Sequence, residues 1–179
     1  MIKIGQKIEN ISFEIFQGNK IKKVSLGDFL GKYLVLAFYP ADFTFVCPTE
    51  LEELAKFYPQ FKKENAEIIS VSVDTAFVHK AWHNSSEAIK KVDYGMAADP
   101  TRALCNYFGT IIDEEGLSLR ATFIIDPEGV IKSIEMHDNS IGRSTKEILR
   151  KLQAIKFVKE HKGLVCPASW EPGGETLKP

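Results

Sequence analysis

Apolar and polar residues alternate through the opening stretch "MIKIGQKIENISFEIF", the period-two pattern of a half-buried strand. Residues 1 to 30 therefore read as short strands around the turn "QGNK", followed by a brief helical turn at "SLGDF". The pattern then changes. "YLVLAFY" (33–39) is continuously apolar, which suits a strand buried on both faces, and Pro40 ends it. In "PTELEELAKFYPQFKKEN" (48–65) the residues Leu51, Leu54, Ala55, Tyr58 and Phe61 recur every three or four positions. That spacing predicts a helix, with Pro48 at its first position. Pro59 falls inside the pattern and predicts a kink or break.

"AEIISVSVD" (66–74) is the next strand, and a helix is expected over roughly 75 to 91, capped by Asp74 or Thr75. In "ADPTRALCNYFG" Asp99 and Pro100 look like a cap and first turn, and Gly109 like the stop. "RATFIIDPEGVIKSIEM" predicts a hairpin turning at "DPEG". A capping box, Ser144-Thr145-Lys146-Glu147, opens a last helix with Ile148, Leu149, Leu152, Ile155 and Val158 on one apolar face. From Lys162 the chain is rich in Gly and Pro, so residues 162–179 are expected to form an irregular peripheral tail to a domain spanning 1–161. Strands alternating with helices give a three-layer α/β domain, its central sheet covered on both sides.

Composition narrows the function. At 179 residues the chain suits one well-buried domain. A net charge of −1 shows no basic excess, so nucleic acid and anionic membranes are poor partners. "YLVLAFY" is far too short to span a membrane, and the N-terminus lacks the apolar core of a secretory signal, so a cytoplasmic location is expected. Cys47, Cys105 and Cys166 lie far apart, which excludes a disulfide framework and the paired spacing of a zinc site. In a reducing compartment such cysteines are packing residues or redox thiols.

Cys47 sits in "FYPADFTFVCPTE", where a loop meets the start of the first long helix. Unpaired N–H groups and the dipole there favour thiolate over thiol. Thr44 brings a hydroxyl three residues earlier, and Phe38, Phe43 and Phe45 are expected to exclude water from the sulfur. The loop lacks a fixed positive charge. Arg120, opening the strand "RATFIID", is the best candidate, placed at the mouth of a pocket where it also holds Glu50. The competing reading of Cys47 is a buried structural cysteine.

The four histidines place no base beside Cys47; His79 and His83 share a helix face without an HExxH motif, and an exposed or interface face suits them. Cys105, among Ala103, Leu104, Tyr107 and Phe108, reads as packing. Cys166 lies in the tail segment "GLVCPASW", an odd place for a core residue and a suitable one for a thiol that must travel to an oxidised partner.

The motif Pro40-x-x-x-Thr44-x-x-Cys47, with "RATFIIDPEG", "VCPASW", "VSVDTAFVHKAWH" and "IGRSTKEILRKLQA", resembles the typical two-cysteine peroxiredoxins from about Gly5 to the C-terminus. The resemblance implies a thioredoxin-like three-layer α/β fold with an N-terminal strand extension, as in peroxiredoxins and glutathione peroxidases. It implies that Cys47 is the peroxidatic cysteine and is oxidised to a sulfenic acid by hydrogen peroxide or organic hydroperoxides, with no metal or organic cofactor. Thr44 and Arg120 would hold the peroxide oxygens, Pro40 would shield the site and Glu50 would orient Arg120. Cys166 would be the resolving cysteine, forming a disulfide with Cys47 of a partner subunit after local unwinding of the helix. Five such dimers would form a decamer, with residues 74 to 83 at the dimer–dimer contact, giving His79, Trp82 and His83 an interface role. The reductant would be a thioredoxin-type protein or a dedicated flavoprotein.

One departure stands out. Family members prone to over-oxidation carry Gly-Gly-Leu-Gly and a terminal helix with Tyr-Phe, whereas this chain reads "DEEGLSLR" and ends at "GGETLKP". An oxidation-resistant enzyme is expected, and a C-terminus shorter than is usual in the family. Two other functions compete: a ring-forming holdase chaperone, and a general disulfide reductase, the latter disfavoured because "CPTE" lacks a CxxC pair.

Overall fold

The computed structural model describes residues 2–179. The alternating N-terminal pattern becomes an antiparallel hairpin of β1 (Ser12–Gln17) and β2 (Lys20–Ser25). Its turn places Gly18 and Asn19 at φ of 55° and 62°, the paired positive angles of a two-residue turn matched to strand twist. Residues before Ser12 form no named strand. Gly5 and Ile8 instead donate to the carbonyls of Ile131 and Gly129, laying that segment along the far side of the sheet.

Next come β3 (Tyr33–Phe38), α1 (Cys47–Lys63) and β4 (Ala66–Ser72), a parallel β-α-β unit. After it run α2 (Ala76–Ser85), β5 (Gly95–Ala98), α3 (Ala103–Phe108) and a small ribbon of β6 (Ile111–Ile112) with β7 (Leu117–Ser118). The predicted hairpin is β8 (Arg120–Ile125) with β9 (Ile131–His137), and α4 (Thr145–Glu160) closes the fold. The seven-stranded sheet has the order β2-β1-β5-β4-β3-β8-β9. Only β3, β4 and β5 run parallel, so the sheet is mixed.

Alternation along β3 sorts the core into two. Tyr33, Val35, Ala37 and then Tyr39 face Leu51, Leu54 and Phe61 of α1 and Ile148, Leu149 and Leu152 of α4. Leu34, Leu36 and Phe38 face the opposite layer, with Leu104 and Phe108 of α3 and Phe123 of β8. Each such fully buried side chain contributes roughly 1.5–3 kcal/mol, so both layers are held firmly to the sheet. The consequence for the site is rigid placement of α1 against the C-terminal end of β3 and the N-terminal end of β8.

Several elements differ from expectation. α1 is not broken at Pro59: that residue is exposed on the helix, where water can satisfy the carbonyl left without its donor. α2 stops at Ser85, short of 91, because the Ser85 hydroxyl donates to the Ala81 and Trp82 carbonyls and competes with the helical bonds. Its cap is Thr75, which accepts from Val78 N–H. α3 begins after Pro100, at Ala103, preceded by Arg102 at φ 59°; Asp99 still serves it from below, accepting from the N–H groups of Leu104 and Cys105. Only half of the capping box at α4 forms: Ser144 accepts from Glu147 N–H, while the Glu147 carboxylate binds Arg150. β5 carries no strand signal in its sequence, yet it lies between β1 and β4. A side chain at Gly95 would meet Ile69 Cδ1 at 2.7 Å, so glycine lets Ile69 and Ile15 pack closely over the strand.

Candidate active site

Cys47 is the first residue of α1 and has no solvent exposure. Val46 precedes it in helical geometry and accepts from the N–H groups of Thr49 and Glu50, so the sulfur sits in the first turn as expected. The positive charge missing from the loop comes from β8. Arg120 Nη1 lies 3.3 Å from Cys47 Sγ and donates to Glu50 Oε2 at 2.7 Å. Arg120 is not at a pocket mouth, however. It is only 3% exposed, because Glu50 neutralises it and Asn139 accepts from its Nε at 2.9 Å.

A second arginine completes the cluster. Arg143 donates to Glu50 Oε1 from both its backbone N and its Nε, each at 2.8 Å, and to Oε2 from Nη2 at 3.1 Å. Its Nη1 donates to the Ala121 carbonyl at 2.9 Å, fastening the cluster to β8. Burial pushes the Glu50 carboxyl up, but the hydrogen bonds and charge of Arg143, with the charge of Arg120, outweigh it and hold the group below the usual carboxylate range. Two guanidinium groups around one buried carboxylate leave a net positive charge facing the sulfur. Neither Arg143 nor Asn139 was picked out from the sequence; the "GR" just before the α4 cap was the available signal.

The remaining expectations divide. Pro40 is buried at the end of β3, and Thr44 is partly buried in the following loop with its hydroxyl donating to the Ala41 carbonyl at 3.0 Å. That hydroxyl keeps its acceptor lone pairs. The aromatic wall is placed differently from what residue type suggested. Phe38 points to the opposite layer of the core, Phe43 is 60% exposed and Phe45 is 96% exposed. Strand alternation turns Phe38 away, and Phe43, at φ 56°, turns its ring out toward Trp82. The wall is instead Tyr39, Leu51 and Leu54, in the same cluster as Cys47.

His79 and Trp82, expected on an exposed or interface face, are both buried within the chain, and α2 exposes Phe77 instead. Cys105 is fully buried, and burial with the nearby Asp99 charge pushes its thiol up to about 12, which suits the packing role.

Cys166 is partly exposed, in a cavity of about 640 Å³ lined by Ala154, Ile155 and Val158 of α4 and by Lys132, Lys159 and Lys162. Burial pushes its thiol up, opposed by the Arg150 charge. The tail is irregular but anchored: Trp170 is 4% exposed, packs on Phe157, and its carbonyl accepts from Arg150 at 2.8 Å. The two thiols are not brought together within one chain. Cys47 Sγ lies in the buried cluster beside Arg120, Cys166 Sγ lies 4.0 Å from the Ala154 carbonyl of α4, and both thiols are free.

Among the described residues no group of three His, Cys, Asp or Glu side chains is arranged to hold a metal ion, and no helix is long and apolar enough to cross a membrane.

Residues 4–134 match the AhpC/TSA family model, and residues 154–179 match the C-terminal domain of 1-Cys peroxiredoxin. The alkyl hydroperoxide reductase C of Amphibacillus xylanus is 47% identical over 177 residues, 98% of this chain and 94% of that protein. A crystal structure of Enterococcus faecalis AhpC superposes with a TM-score of 0.91 at 44% identity, covering 93% of this chain and 100% of that one. Plasmodium vivax 2-Cys peroxiredoxin in its reduced state gives 0.92 at 35% identity, covering 97% and 91%.

Proposed function

The chain belongs to the AhpC/TSA family, with the thioredoxin-like fold of the peroxiredoxins, and on that premise we propose that Cys47 is its peroxidatic sulfur and Cys166 its resolving one. The protein is a thiol-dependent peroxidase, an oxidoreductase that acts on hydroperoxides. The observation that carries the assignment of Cys47 is its contact with Arg120 Nη1 at 3.3 Å, inside a buried cluster of two arginines and one carboxylate.

The chemistry follows from that geometry. The Cys47 sulfur attacks one oxygen of the hydroperoxide; an S–O bond forms, the O–O bond breaks and the leaving alkoxide or hydroxide takes up a proton. Negative charge moves from sulfur to the leaving oxygen along a path faced by fixed positive charge, so the transition state is stabilised without reorganisation. Arg120 Nη2 makes no hydrogen bond to the protein among the described residues and is left to donate to a peroxide oxygen. In this reading Thr44 supplies a second contact to the peroxide and Pro40 shields the site from water, while Glu50, bonded to Arg120, fixes its guanidinium plane.

The Cys166 sulfur then attacks the Cys47 sulfenic acid; an S–S bond forms and hydroxide departs as water. The separation within one chain supports pairing with Cys47 of a partner subunit, and the full burial of Cys47 requires the first turn of α1 to unwind. Two electrons from a thioredoxin-type protein or a flavoprotein reductase restore the thiols. A cytoplasmic decamer, with residues 74 to 83 and the exposed Phe43, Phe45 and Phe77 at its dimer–dimer contact, is the assembly we propose.

A coupled peroxidase assay tests the assignment. Cys47→Ser should abolish turnover, and peroxide-treated wild type should run as a disulfide-linked dimer on a non-reducing gel. Cys166→Ser should remove that dimer. A Cys47→Ser protein with wild-type activity, or a dimer that depends on Cys105, would overturn it.

A further inference from the structure

The loop between β3 and α1 carries Pro40 and Thr44 to the sulfur, yet it is an irregular segment with two exposed phenylalanines. The loop is held at its ends by the Tyr39 N–H, which donates to the Val71 carbonyl, and by the Val46 carbonyl in the first turn of α1; between them, among the described residues, the hydrogen bonds of residues 40–45 to the rest of the fold all pass through Asp42. The Asp42 N–H donates to Asp74 Oδ2 at 2.9 Å, and its carboxylate takes Tyr39 Oη at 2.6 Å on one oxygen and His79 Nδ1 at 2.8 Å on the other. Thr44, by contrast, bonds only within the loop, to Ala41.

His79, like Tyr39 and Ser72 in this set, has no exposure at all. Both of its ring nitrogens face acceptors: Asp42 on one side and the Ala97 carbonyl of β5, at 3.1 Å, on the other. The Ala97 carbonyl can only accept, so Nε2 is the donor there, and Nδ1 bonds Asp42. The ring is fixed at both ends, which makes it a rigid strut from the middle of the sheet to the loop. Asp74 receives Ser72 Oγ at 2.7 Å as well as the Asp42 N–H, closing the network on the end of β4.

We infer that His79 is a positioning residue for the peroxide pocket: acting through Asp42, it holds the loop so that Thr44 and Pro40 face Cys47, without touching substrate itself. The inference rests on the peroxidase reading of Cys47. A side chain that only fills space would not need two directed bonds at opposite ends, one of them to the single anchor of the loop between its ends. Displacing a substrate-holding group by about 1 Å can cost on the order of a hundredfold in rate.

The test compares two reactions of Cys47 in the full-length protein: oxidation by hydrogen peroxide, and alkylation by iodoacetamide, which needs the sulfur but no oriented oxygen pocket. In His79→Ala the peroxide rate constant should fall at least tenfold while alkylation stays within threefold of wild type. His79→Asn, which keeps a donor toward Asp42, should recover the peroxide rate to within threefold of wild type. A peroxide rate unchanged in His79→Ala, both rates falling together, or no recovery in His79→Asn would each overturn the inference. If His79→Ala does not accumulate folded, Asp42→Asn replaces it: a lowered ratio of peroxide to alkylation rate supports the anchor, and an unchanged ratio overturns it. Cys47→Ser run alongside separates the two levels, since full activity in that variant would remove the peroxidase reading itself.

Discussion

Replacing Glu50 by Gln keeps the shape of the side chain and removes the one negative charge between Arg120 and Arg143. In the wild type that carboxylate accepts one hydrogen bond from Arg120 and three from Arg143, and all three side chains are at most 4% exposed. The amide leaves two guanidinium groups buried without a counter-charge and must turn its NH₂ toward at least one of these donors. Breaking a buried pair in this way costs about 3–5 kcal/mol. For a domain of this length, at roughly 2–4 °C per kcal/mol, the melting temperature should fall by about 6–20 °C at pH 7. The pH dependence fixes the cause. Because the Glu50 carboxyl is held below its ordinary range in the fold, its contribution is fully present above its unfolded pKa of about 4.3 and is lost as pH falls through the folded value. The gap between wild type and Glu50→Gln should thus be constant from pH 8 to about pH 5 and close in stronger acid. Thermal or urea unfolding of both proteins across that range measures it. A gap under 2 °C at pH 7, or one that persists unchanged in acid, refutes the account of the cluster. Peroxide reduction should fall at least tenfold in the same variant, since Arg120 Nη1 divides its bonds between Glu50 and the sulfur.

Native protein treated with iodoacetamide at pH 8 should leave Cys105 unmodified, since a thiol pushed up to about 12 is ionised on the order of once in ten thousand molecules; labelling of Cys105 on peptide mass spectrometry would contradict its burial. Trp170→Ala removes the ring that packs on Phe157, so amide exchange across residues 163–172 should accelerate at least tenfold while that of β3 and β4 is unchanged, and disulfide formation after peroxide should speed up; protection equal to wild type would show the tail is held elsewhere.

How far the sequence could be read depended on whether the information was local. Cys47 and Glu50 lie within one short stretch, and the helix that orders them has strong apolar spacing, so their place in the first turn of α1 was legible. Arg120 was legible as a charge opening an apolar strand. Arg143 was not, because it reaches Glu50 across 93 residues from an irregular loop, where neither period applies. The same lack of period misplaced Phe43 and Phe45. Aromatic residues suggest burial, but in a loop the backbone angles decide, and φ 56° at Phe43 turns its ring outward. β5 failed for a different reason: Gly-Met-Ala-Ala has no β-branched residue, and it is a strand because β1 and β4 both pair with it. His79 joins both failures. Its helix has a weak pattern, and its partners come from a loop and from that unrecognised strand. Its burial could therefore emerge only once β5 and the Asp42 loop were placed together, because each of its two ring nitrogens finds its acceptor on one of them.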